Sequence, residues 1–428
     1  MAADKDATGE NAREDARRNY AILLGQGIST GAAGELTSVQ LVLPFLYTTA
    51  GAPVFFAGLL VPISTVAKRL VQILVAPLVS AARANRRLIA FADLTLAAAI
   101  ILISLTFDVV GVYWLVPIFL AAVFVIGAAN GVSGLAFQDL IGRVLTSERR
   151  ERLLFTQSSL AGLIVVIVAV GSQVIFTPGT TGVAHQELIW LGIALFVLSA
   201  VAILAVREPV KRAPRAERET LDARTHVAAL RDSFRMAFAL PWFSRFMVAR
   251  TLYLSVELAI PFFSIHAASF HGDSTSGLSA FVIAASLGLM AGGFVWPKIG
   301  KGSIDRILVL AAVLTCIGGV LAVAIELSLL PQNVFCYAIV FVLVSLGAQG
   351  TKNGRTLYLL GMATDAERPF CIAVANVTIG LVAIAFGALL GVLASLQGVV
   401  WVILALILLN VLAAFYTSRL RAAPAGSG

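Results

Sequence analysis

The chain has 428 residues, of which 59% are hydrophobic and only 13% charged, with a mean hydropathy of +0.94 and a formal net charge of +8. So few charges cannot cover a water-soluble fold of this length, so lipid must solvate much of it. The apolar runs are long and continuous rather than alternating, which argues against a transmembrane barrel and for helices of about 20 residues crossing about 30 Å of hydrocarbon.

Residues 1–19 are polar and of mixed charge, and read as a disordered cytoplasmic tail. They lack the basic, apolar and small-residue succession of a cleaved signal peptide. Six predicted spans follow, over residues 20–47, 53–79, 88–106, 112–141, 153–176 and 188–206, and together they make an N-terminal half, 20–206. A polar, basic linker covers 207–240. Spans 7 to 12 are expected over 241–267, 276–299, 305–326, 332–361, 369–395 and 398–417, a C-terminal half, 241–417, before a short cytoplasmic tail, 418–428. Cys316, Cys336 and Cys371 all fall within spans, where an odd count argues against a disulfide framework and the residues read as small hydrophobes.

Loop charges test the count. With alternating spans, one side of the membrane holds Arg83, Arg86, Arg87, Arg143, Arg149, Arg150 and Arg152, eight basic residues from Arg207 to Arg235, and then Lys298, Lys301, Arg306, Arg368, Arg419 and Arg421. The opposite loops hold no Lys or Arg and carry Asp108, His185, Glu187, His271, Asp273 and Glu326. Basic residues stay in the cytoplasm, so the partition predicts an even number of spans with both termini cytoplasmic. It also accounts for the net charge without a nucleic-acid partner.

The chain repeats itself. A shift of 219 residues sets Gly131 on Gly350, Leu140 on Leu359, Gly142 on Gly361, Glu148-Arg149 on Glu367-Arg368, and Arg87 on Arg306. Pro44-Phe45 meets Pro261-Phe262 at a shift of 217. Matches at nearly one offset across four span pairs predict two six-helix halves of the same orientation, related by an axis along the membrane normal.

On these features the chain resembles the major facilitator superfamily of secondary transporters over nearly everything from Tyr20 to Tyr416. The fold class expected is therefore an all-α polytopic membrane protein of twelve helices in two pseudo-symmetric six-helix halves. The family's loop 2–3 signature runs Gly-x-Leu-Ala-Asp-Arg-x-Gly-Arg-Arg. Here residues 76–87 keep the basic cluster with Arg83, Arg86 and Arg87 but lack the acidic residue and both glycines. Asp139-Leu140-Ile141-Gly142-Arg143 resembles the charged end of helix 4 that partners this loop. The resemblance therefore makes Arg83, Arg86, Asp139 and Arg143 candidates for a cytoplasmic gate.

In that family helices 1, 4, 7 and 10 line the central path, and the polar residues follow suit. Span 1 carries Gln26, Ser29, Thr30, Glu35, Thr37, Ser38 and Gln40. Span 7 carries Arg250, Thr251, Tyr253, Ser255, Glu257 and His266, and span 10 carries Gln349, Thr351, Lys352, Asn353 and Arg355. Spans 6, 9 and 12 are nearly bare, apart from Ser199, from Thr315 and Cys316, and from Asn410. Asp93 makes span 3 a partial exception. Polar side chains at membrane depth must face protein or water.

Glu35 and Glu257 lie near mid-membrane in corresponding spans, which fits either proton coupling or substrate contact, or carboxyls bonded structurally to neighbouring helices. Lys68 and Arg69 are adjacent, so only one of them can face a small site. Lys352 and Arg355 are three apart and share a helix face, as substrate ligands, a cytoplasmic gate or headgroup anchors. With Arg250, these cations outnumber the two glutamates and favour an anionic or carboxylate-bearing solute. Lys68, Arg250, Lys352 and Arg355 are the substrate-binding candidates.

No His, Cys or acidic cluster has metal-ligand spacing, no Gly-x-x-x-x-Gly-Lys loop is present, and no catalytic constellation stands out. No cofactor and no enzymatic activity are expected. The reading is a secondary transporter working by alternating access in a bacterial inner membrane. Its partners would be a small-molecule substrate, the lipid bilayer and protons as candidate coupling ion, and a monomer would suffice. The rival reading is a transporter-fold assembly factor or receptor for a membrane complex.

Overall fold

The computed structural model describes residues 2–81, 84–107, 109–145, 147–175, 183–208, 223–272, 277–299, 304–364 and 367–419. All regular structure among them is helical. The first six spans appear as α1 (Ala2–Leu36) with α2 (Val42–Thr49), α3 (Val54–Ala57) with α4 (Leu60–Ala81), α5 (Asn85–Thr106), α6 (Val112–Val144), α7 (Ser147–Ile175) and α8 (Val183–Leu204). The linker contributes α9 (Ala223–Phe238). Span 7 is divided into α10 (Pro241–Leu252), α11 (Leu254–Glu257) and α12 (Ala259–His271). Then come α13 (Gly277–Ile299), α14 (Ile304–Glu326), α15 (Val334–Met362), α16 (Arg368–Gln397) and α17 (Val399–Ser418).

Eleven segments among the described residues are long and apolar enough to cross a membrane. Span 1 completes the set of twelve. Its inner part carries Gln26, Ser29, Thr30 and Glu35 and stops at Leu36, so no single stretch of it is both long and apolar. Two expectations differ from the structure. The polar segment 2–19 continues α1 as helix, and part of the basic linker is helical as α9.

Three spans expected to be continuous are broken, and proline explains one break in each; the second break of span 7, at Tyr253, has no proline behind it. A proline in a helix has no N–H to give the carbonyl four residues earlier, and its ring collides with that carbonyl. Pro44, Pro62 and Pro261 place this conflict at Gln40, Gly58 and Glu257, which lie at the breaks between α1 and α2, α3 and α4, and α11 and α12. The turn after α1 is held by the Thr37 hydroxyl, which donates to the Ala33 carbonyl at 2.8 Å, and by Ser38 N–H, which donates to the Glu35 carbonyl at 3.3 Å.

The chain folds into two compact units. One holds residues 1–38 and 63–215, and the other 39–62 and 216–428. Residues 39–62 therefore pack with the second unit although they follow span 1 in the chain. There α2 lies on α12, and α3 on α16. A Cβ built on Gly391 would sit 2.6 Å from the Phe55 carbonyl oxygen, and one on Gly387 would sit 2.8 Å from that of Gly58. The Ser264 hydroxyl donates to the Leu41 carbonyl at 2.5 Å, a second bond to a group that already accepts from the Phe45 N–H at 3.2 Å.

Within the first unit α5 packs on α6 and α8, and α1 on α7 and α8. The unit is closed at one end by Asn19, whose side-chain amide donates to the Arg207 carbonyl and accepts from the Arg207 N–H, each at 3.0 Å. In the second unit α14 packs on α15 and α17, and α13 on α15. The repeat is visible in packing. A Cβ on Gly131 of α6 would lie 2.6 Å from the Lys68 carbonyl oxygen of α4. One on Gly350 of α15 would lie 2.5 Å from the Trp296 ring of α13. Spans 2 and 4 in one unit, and 8 and 10 in the other, thus approach at repeat-related glycines.

Candidate functional site

In the first unit one group of polar residues gathers on Asp93 of α5, which is fully buried. Its carboxylate accepts from Ser199 of α8 at 2.6 Å and from Ser133 of α6 at 3.3 Å. Gln26 of α1 donates to Ser199 at 3.1 Å and to Thr30 at 2.9 Å. Four helices are joined by one network, which is what a buried carboxyl in an apolar surround requires. The polarity pattern therefore has a second cause. Gln26 and Thr30 of span 1 face spans 3 and 6 inside their own unit. In the second unit Asn410 of span 12 likewise accepts from Ser255 of span 7 at 2.7 Å.

At the far end of α6, Asp139 pairs with Arg143 one turn later and accepts from Asn85 at the start of α5. Asn85 thus ties the end of α6 to the start of α5. Arg86 donates from its guanidinium to the carbonyls of Val206 at 2.6 Å and Leu204 at 3.2 Å, and its backbone N–H donates to Glu208 at 2.9 Å. It caps the end of α8, where helix carbonyls lack partners. Arg83 lies outside the described residues.

The second unit assembles the deep charges of span 7. Arg250, near the end of α10, is 9% exposed. Its guanidinium donates to the side-chain oxygen of Asn376 on α16 at 3.0 Å and lies 6.0 Å from the Phe246 ring centre. Glu257, at the end of α11, forms an ion pair with Arg355 of α15, with the two side chains only 28% and 19% exposed. The break that Pro261 imposes sits beside this carboxylate, so it projects from a helix end rather than from a continuous cylinder. A guanidinium with a planar fork, held by an amide and a ring, suits a carboxylate or phosphate guest.

Glu35 is half-buried in the last turn of α1, in the first unit. Lys68 is half-buried on α4, and its neighbour Arg69 donates to Gln72 at 3.4 Å. Lys352 is exposed although it shares a helix face with Arg355. Asn376 was not predicted. It is one of the few amide side chains in spans 8 to 12, and that scarcity was the only signal available. Among the described residues no three His, Cys, Asp or Glu side chains gather as a metal site would require.

No family model matches the chain. A protein of Mycobacterium tuberculosis, the uncharacterized protein Rv2209, is 27% identical over 412 residues, covering 94% of this chain and 77% of its own length. Solved structures similar in fold include a mutant of the nucleoside transporter NupG, with a TM-score of 0.68 and 12% identity over 94% of this chain and 99% of that one. A D-xylose–proton symporter superposes with a TM-score of 0.67 and 14% identity, over 96% and 99% of the two chains. The human organic anion transporter MFSD10 does so with a TM-score of 0.56 and 14% identity, over 94% and 99%.

Proposed function

On the major facilitator fold that this chain adopts, we propose a secondary transporter that moves a small anionic or carboxylate-bearing solute by alternating access, coupled to protons. The observations that carry this reading are two guanidiniums on membrane spans of the second unit, Arg250 on Asn376 and Arg355 on Glu257. Solved structures of the same fold are named for nucleosides, xylose with protons, and organic anions, which supports transport of a small molecule.

Arg355 offers one guanidinium to two claimants. With Glu257 ionised it is held by that carboxylate. Protonation of Glu257 removes the charge that holds it, and Arg355 becomes available to a substrate carboxylate, with Arg250 as the second cation. Proton and anion then bind together, which is the thermodynamic content of coupled transport. Glu35 is the corresponding carboxyl of the first unit, where Lys68 is the cation candidate, and Lys352 is a further cation candidate of the second. Arg86, Asp139 and Arg143 would hold the cytoplasmic ends. The membrane is a bacterial inner membrane, with both ends of the chain in the cytoplasm. The test is flux into proteoliposomes from a panel of small organic acids and neutral analogues. Accumulation of acids but not of matched amides is expected.

A further inference from the structure

We propose that His266, held between Glu326 and Tyr337, is a proton-binding site at the end of the second unit whose loops carry no Lys or Arg. His266 lies on α12, Glu326 ends α14 and Tyr337 lies in the first turn of α15, so three spans meet at one imidazole. His266 Nε2 is 3.2 Å from the Glu326 carboxylate, and Nδ1 is hydrogen-bonded to the Tyr337 hydroxyl. The connecting residues 272–276 and 327–333 contain no basic residue.

Both nitrogens keep a partner whichever protonation state is present. In the neutral ring Nε2–H donates to Glu326, and Nδ1 accepts from the Tyr337 hydroxyl. Adding a proton makes Nδ1–H a donor to the tyrosine oxygen, and the hydroxyl hydrogen turns away. One bond reverses and none is lost, while the new charge faces the Glu326 carboxylate. The His266 side chain is only 3% exposed, but that of Glu326 is 35% exposed, which gives the proton a polar entrance.

Behind the triad stands a second imidazole. His271 is 7% exposed, its Nε2 has no hydrogen-bond partner, and its ring lies 5.5 Å from that of Tyr337. A buried ring nitrogen without a partner marks room for a proton or an ordered water. Phe270 and Phe281 pack on the two imidazoles, with ring centres 5.3 Å from His266 and 5.8 Å from His271. From the other elements packed on α12, the titratable side chains are Tyr47 of α2, Glu257 of α11 and Tyr416 of α17, while α3 has none.

This proposal rests on the geometry alone and holds whether or not the chain transports. The direct test is ¹⁵N NMR of histidine-labelled full-length protein in lipid nanodiscs, titrated from about pH 4 to about pH 9. His266→Gln assigns the signal, and if that variant misfolds, subtraction with His185→Gln, His226→Gln and His271→Gln does so. The His266 nitrogens should pass from a fixed tautomer to the imidazolium pattern within this range. Glu326→Gln should lower the midpoint by about one pH unit, because the facing negative charge is gone. A ring that stays neutral throughout, or a midpoint indifferent to Glu326→Gln, would overturn the proposal.

Discussion

Glu257 and Arg355 form an ion pair between spans 7 and 10 within the second unit, at the point where Pro261 breaks the helix. The pair lies on two of the spans whose polarity marked them for an aqueous path. Its proposed role is that of a switch between an internal and an external carboxylate.

Glu257→Gln retains size and hydrogen bonding but cannot titrate. Accumulation driven by a proton gradient should disappear, while exchange of substrate for substrate continues because it needs no net proton movement. Glu35→Gln is the parallel test in the first unit. If both variants accumulate substrate with wild-type pH dependence, neither carboxyl couples protons.

Arg250→Ala removes a nine-tenths buried guanidinium and leaves Asn376 without that donor. Substrate binding should weaken by about 2–5 kcal/mol, the usual cost of truncating a desolvated charged contact. Arg250→Lys should recover only part of this, since an ammonium lacks the planar fork. Titration calorimetry with the transported acid reads both. Unchanged affinity in Arg250→Ala would remove this residue from the site.

Asp93 has a structural task, so its variants should separate stability from activity. Asp93→Ala removes the acceptor of Ser133 and leaves Ser199 only the Thr30 hydroxyl as an acceptor, at about 1–3 kcal/mol for a buried group so orphaned. Thermal unfolding in detergent should move to lower temperature, with near-normal transport per folded molecule. Full stability with lost transport would instead place Asp93 in the transport path.

Most of the helical plan was legible from the sequence because lipid imposes a simple rule: a span must be long, apolar and flanked by sorted charges. All twelve spans have helical counterparts, within a few residues at most ends. Three of the breaks were written in Pro44, Pro62 and Pro261, yet hydropathy averages over them. The packing of residues 39–62 with the second unit was not legible, because it depends on tertiary contacts rather than on chain order. Of the candidate site, the ion pair joined two residues already singled out. Asn376, the capping by Arg86 and the network around Asp93 depended on which way each helix is turned, and no single helix reveals that.

The topology is open to a separate check. Reporter fusions after Ser80, Glu219 and Gly302 should be read in the cytoplasm, and fusions at Ala50 and Gly272 on the far side. A cytoplasmic signal at either of the last two would break the assignment of loops by charge.

The most direct measurement of the central claim is uptake of a labelled small carboxylate by proteoliposomes holding the purified protein, with and without an imposed proton gradient. The account predicts accumulation above equilibrium only with the gradient, abolished in Glu257→Gln and weakened in Arg250→Ala. Absence of flux for every acid in a broad panel, from protein that folds and inserts normally, would contradict it.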